Sequence, residues 1–182
     1  MRYIAVMHRF TLLLAAILGI ALTGGAKKQP PIALRVYPES GEIGGQFSNP
    51  IQVLATGRAS HMATMPLINE SDIASVYPFP APDGSGTYGA YFRLDSHGKN
   101  LLSQHTTSKR GTNLFVFING RRITDLYVDR PVQDGLLSIP TGLTNLEADF
   151  LRYEWPPIGR EGEKPPKRPK APKPKKDLAV EA

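Results

Sequence analysis

Three aspartates, three histidines and a phenylalanine pair are the residues here best placed by type and spacing to do chemistry. Asp125, Asp129 and Asp134 fall close together, and paired carboxylates can serve glycoside hydrolysis as acid and base or nucleophile. Spacings of four and five along an extended chain, however, set neighbours far apart or on opposite faces, so no shared site is specified. Asp129-Arg130-Pro131 and Asp134-Gly135 read more simply as turn residues. His61, His97 and His105 lack the HExxH spacing, and the chain has no cysteine, so no metal site is expected. There is no GxSxG or SxxK motif, and Gly84-Ser85-Gly86 lies in a turn before a strand rather than cradling a phosphate. No catalytic, cofactor-binding or metal-ligating residue is therefore assigned. A hydrolase acting on wall or surface polymer through Asp125–Asp134 is the enzymatic alternative. Phe115 and Phe117 project opposite to Leu114, Val116 and Ile118. They form either an open face for a peptide or sugar, or a core covered by the helices. Strands this apolar on both faces are usually covered, and that is the expectation.

The elements that must hold such residues fit a single domain. The 182 residues are 41% hydrophobic and 21% charged, which excludes a wholly disordered chain and a coiled coil. The net charge of +6 sits at the two ends. Arg2 and Arg9 give the first 26 residues +2; residues 27–155 balance 12 basic against 12 acidic groups; residues 156–182 carry 8 basic and 4 acidic groups, hence +4. A neutral body argues against a nucleic-acid-binding surface. At the start, Arg2, His8 and Arg9 precede an apolar run from Phe10 to Leu22, and Gly24-Gly25-Ala26 follows. This pattern is a secretory signal peptide over 1–26, with an uncleaved inner-membrane anchor as its alternative. The destination is the periplasm or the exterior. At the other end, 156–182 reads as a disordered Lys/Pro-rich tail. Lys164, Lys167, Arg168, Lys170, Lys173, Lys175 and Lys176 are its candidate contacts to an anionic surface, either lipid head groups or wall polymer. A solubilising tail with no partner is the other reading.

Between the ends, strands are expected at Ile32–Tyr37, Ile51–Ala55, Tyr88–Leu94, Leu114–Ile118, Arg121–Val128 and Leu136–Ile139. Leu114–Ile118 should be central, and Asn119-Gly120 should form a type I′ hairpin turn. A short helix capped by Asn69 or Ser71 is expected within Leu67–Val76, and Pro78–Gly84 should be a turn-rich connection. Asp95 should cap a helix over Ser96–Thr106, and Thr144 with Glu147 a second through Leu151. The class that follows is α+β, a two-layer sandwich with helices on one face of a mainly antiparallel sheet over 27–155.

Gly98 near a helix start, Thr106, the Lys109-Arg110-Gly111 turn, the run Val116-Phe117-Ile118-Asn119-Gly120-Arg121-Arg122-Ile123 and a later capped helix resemble the periplasmic head region of SecD-type protein translocases. The match covers roughly Tyr88–Leu151. His97 and Lys99 stand where that pattern has Glu and Ala, and Asn119 where it has Asp. The resemblance implies a shared fold and an envelope setting. Expected, then, is an exported, non-enzymatic binding or accessory module of the bacterial cell envelope, tethered by its tail. A protein partner is also open, and an accessory subunit of the export machinery is a further alternative.

Overall fold

The computed structural model describes residues 32–41 and 47–167. The leader and the tail beyond Lys167, including Arg168, Lys170, Lys173, Lys175 and Lys176, lie outside the described residues. Every strand pairing among the described residues is antiparallel. The first sheet runs in the order β4, β1, β7, β8, made of Ile68–Asn69, Leu34–Pro38, Asn113–Ile118 and Arg121–Tyr127. The second runs β5, β6, β9, made of Ile73–Pro80, Tyr88–Leu94 and Leu136–Leu143. A separate hairpin joins β2 (Ser48–Gln52) to β3 (Ala59–Ala63). Two helices, α1 (Ser96–Ser108) and α2 (Asn145–Glu154), complete the α+β fold.

Strand β7 is an interior strand because both of its faces are apolar. Leu34 and Val36 of β1 meet Ile118 and Val116 in register, and all four are fully buried. The turn into β8 places Asn119 and Gly120 at φ of 51° and 78°, the left-handed pair that a type I′ turn needs. Asn119 does more than turn. Its Oδ1 accepts the Ala33 N–H and its own N–H donates to the Ala33 carbonyl, both at 2.9 Å. The hairpin is thereby tied to the entry of β1. Phe92, Ile139, Leu143, Leu102 and Leu151 bring β6, β9 and both helices into the same core. The helix starts follow their caps: Asp95 Oδ1 accepts the Gly98 N–H at 2.8 Å, and Thr144 and Glu147 form a reciprocal capping box.

Elsewhere the local structure differs from expectation. The helix anticipated within Leu67–Val76 is only a 3₁₀ turn, Glu70–Asp72, with Asn69 and Asp72 forming its capping box. Ile73 and Val76 are still buried, but as members of β5. β-branched and aromatic residues followed by Pro78 favour extended chain, since proline restricts the residue before it and breaks helix continuation. The anticipated loop at Pro78–Gly84 begins late, because β5 carries on through Pro78 to Pro80. Val76 donates its N–H outward to the Pro156 carbonyl at 3.0 Å. Pro78 and Pro80 share that parity, so their missing donors would have faced the strand's open side, where proline is tolerated. The second strand runs Ser48–Gln52 rather than Ile51–Ala55, and no alternation in the sequence marks its partner β3.

The folded chain continues past Trp155. Pro156 is buried, Pro157 forms a parallel bridge with Val76, and the Ser75 hydroxyl donates to Glu161 at 2.9 Å. Residues 156–161 thus run as a strap along the outer edge of β5.

Candidate binding face

Of the acids, Asp125 is held on all sides. Its side chain is almost wholly buried, accepts from Arg122 Nε at 2.8 Å and Nη2, and accepts the Leu54 N–H at 2.7 Å. Arg122 Nη1 donates in turn to the Gln52 carbonyl at 2.6 Å. This clasp joins β8 to the β2–β3 hairpin. Asp134 accepts the Leu136 N–H at 3.0 Å, as a turn residue does. Asp129 and Asp134 line an open cavity of about 620 Å³ beside α1, which Asp125 does not line. The three acids therefore do not share one lining.

The phenylalanines divide. Phe115 is fully buried, but its cover is not the helices: the Arg122 guanidinium lies over its ring, 5.1 Å from the centroid. Phe117 is half-buried and meets Tyr37 edge-on at 5.6 Å. The ion-paired clasp of Arg122 with Asp125 replaces the helical cover that apolar patterning suggests.

Among the histidines, His97 Nδ1 pairs with Asp72 Oδ1 at 2.8 Å. Asp72, Asp95 and His97 bring ligand atoms within 4.8 Å of one another, a grouping that histidine spacing alone did not reveal. The signal was in the caps, since Asp72 closes the Asn69 box and Asp95 starts α1 two residues before His97. Asp72 Oδ2 accepts the Asn69 N–H and Asp95 Oδ1 the Gly98 N–H, each at 2.8 Å. These carboxylates are occupied in holding two helical starts together. His105 is half-buried; burial, then the Lys109 charge, holds its imidazole below the ordinary value, favouring the neutral ring.

The feature best suited to recognition is an aromatic surface on the outer face of β5 and β6. Tyr77 is 55% exposed and Tyr91 37% exposed, and they sit opposite each other in register. Phe79 stacks on Tyr91 with centroids 4.7 Å apart. Phe79 lies across the strand because its partner is Gly89, where a Cβ would come 2.7 Å from the Phe79 ring and 2.4 Å from the Pro140 carbonyl. A groove of about 420 Å³ opens beside them, lined by Tyr77, Phe79, Trp155, Pro157 and Pro166, with Arg152 the charged residue of the lining. Arg152 is paired to Asp149 at 3.2 Å. Arg93 Nε lies 3.6 Å from Glu161 on the strap. The backbone N–H of Gly159 first, then Glu161's own backbone N–H and the Ser75 hydroxyl, hold the Glu161 carboxyl below its ordinary range. Tyr77 and Phe79 escaped sequence reading because their flanking prolines marked a turn; the clue was their period-two spacing across Pro78. Of the tail's candidate contacts, Lys164 and Lys167 are described, and both are exposed.

No protein-family model and no curated protein matches the chain. Among solved structures, it is similar to SecDF, a membrane component that enhances protein export, at 14% identity and a TM-score of 0.47. That match covers 66% of this chain and 60% of the other. It is similar also to SecDF in its super-membrane-facing form, at 13% identity and TM-score 0.47, covering 65% of this chain and 18% of that one. The chain thus spans less than two thirds of either structure's length. These are structures of the group that Tyr88–Leu151 resembles in sequence. Among the described residues, no helix is long and apolar enough to cross a membrane.

Proposed function

We propose that this protein is an exported, non-enzymatic binding or accessory module of the bacterial cell envelope, held at an anionic surface by its basic tail. The observation that carries the reading is where the tail begins. The strap fixes residues 156–161 against β5, so the basic run starting at Lys164 leaves the domain beside the aromatic groove. Clustered Lys and Arg leaving a neutral body suit an anionic surface. Of the carboxylates named for a hydrolase, Asp125 is committed to Arg122 and the Leu54 amide.

The test is flotation of the full chain with phosphatidylglycerol vesicles and with phosphatidylcholine vesicles. The reading expects binding to the anionic vesicles only, lost when Lys167, Lys170, Lys173, Lys175 and Lys176 are replaced by Gln, and weakened as salt rises. Competition by a soluble glycerol-phosphate polymer separates wall polymer from head group as the preferred anion. Equal partition of the native and neutralised chains would falsify the tether. Export is tested by following the leader in fractionated cells.

A further inference from the structure

The tail carries a pattern that its composition conceals. Lys164, Lys167, Lys170, Lys173 and Lys176 recur every third residue, and so do Pro166, Pro169 and Pro172. A polyproline II helix has three residues per turn and rises about 3.1 Å per residue. In that conformation the prolines form one edge and the lysines another, each with a spacing of about 9 Å. The first members of both rows are already described: Pro166 lines the groove with Tyr77, Phe79 and Trp155, while Lys164 and Lys167 are exposed. Aromatic-lined grooves are what polyproline helices dock into elsewhere.

We infer that the tail folds back on its own domain as a polyproline II helix, its proline edge on the aromatic face of β5 and β6. The lysine edge then points outward. Pro166 occupies the groove, and Pro169 and Pro172 continue over the strip where Phe79 stacks on Tyr91. From Pro166 to Pro172 is about 19 Å, against about 10 Å between the outer strands of a three-stranded sheet, so the segment has the reach. The groove's Arg152 does not oppose it, being paired with Asp149. Docking makes the cationic run a comb of lysines with a fixed spacing and a fixed direction. In this respect the inference deepens the tether reading, whose purpose the comb serves, though docking itself requires no anionic surface.

The experiment is limited trypsin digestion of the full chain in vesicle-free buffer. Bonds before proline resist the enzyme, and of the cleavable bonds Lys170–Ala171, which lies between Pro169 and Pro172, is the one to follow. Docking expects cleavage there to become several-fold faster in the Tyr77→Ser/Tyr91→Ser variant, whose thermal midpoint verifies that it is folded. The same rate in both chains would overturn the inference. So would protection that disappears on dilution, which assigns the groove to the tail of a second copy. A second measurement avoids altering the domain: ring chemical shifts of Tyr77 and Tyr91 in the full chain are expected to move in Pro169→Ala/Pro172→Ala, and unchanged shifts count against docking. Failure of docking is separable from failure of the tether. Loss of protection with flotation intact leaves the tether standing, and lysine-to-glutamine chains that keep the native Tyr77 and Tyr91 ring shifts but no longer float separate the two in the other direction.

Discussion

At the scale of single residues, two positions set stability in ways their types alone would misjudge. Gly98 occupies the first turn of α1, where helix propensity would favour alanine by up to about 1 kcal/mol. A Cβ there would come 2.8 Å from Asp72 Cβ and 3.3 Å from the Asp72 carbonyl. Gly98→Ala should therefore destabilise the fold, by about 1–3 kcal/mol as overpacking does, read as a lower denaturant midpoint. Glu39 is the second. Burial pushes its carboxyl up, yet hydrogen bonds from Ser60, Asn113 and Arg58 outweigh that and hold it below its ordinary 4.5. The Ser60 hydroxyl donates at 2.6 Å, Arg58 at 2.7 Å, and both nitrogens of Asn113 at 2.8 Å. A carboxyl with a depressed folded pKa contributes stability in full above its unfolded value and loses it as pH falls through the folded value. Wild-type stability should thus fall as pH drops below about 4.5, and Glu39→Gln should flatten that part of the pH–stability curve.

At the scale of elements, the clasp of Arg122 and Asp125 holds a hairpin that contributes little of its own to the core. Removing one partner strands the other, a loss of about 3–5 kcal/mol for a buried pair. Asp125→Ala and Arg122→Ala should each weaken the fold strongly, while the double variant should fall well short of their sum. Amide exchange at Leu54, whose N–H Asp125 accepts, should quicken in Asp125→Ala. Legibility divides along the same lines. Strand β6, the Asn119-Gly120 hairpin and the helices capped by Asp95 and Thr144 are written locally, in alternation and capping chemistry, and the structure has them where those signals lie. Strands β3 and β5 are not. Ala59–Ala63 shows no apolar alternation and exists through pairing with β2, and Pro78 and Pro80 mask a strand whose edge position alone makes them acceptable. The aromatic face is hidden for the same reason, since Phe79 lies between those prolines and Tyr77 directly precedes the first. The cover over Phe115 was hidden because it depends on Arg122 bridging to Gln52, seventy residues away in sequence.

At the scale of the whole molecule, charge and shape are divided between parts. The body from 27 to 155 is neutral and the excess lies at the ends, so attraction to an anionic surface should be steep in salt and lodged in the tail. Raising salt from about 0.05 M to about 0.5 M shortens the screening length severalfold and should release the full chain from anionic vesicles without lowering its thermal midpoint. The strap has an optical consequence. Trp155 is the chain's single tryptophan, only 7% exposed, and it stands where the domain hands over to the strap held by Val76. Its emission is a colour gauge for that seam. A shift to longer wavelength preceding the loss of far-ultraviolet ellipticity on warming would show the strap peeling away from an intact body. Coincident changes would show that strap and body melt as one cooperative unit.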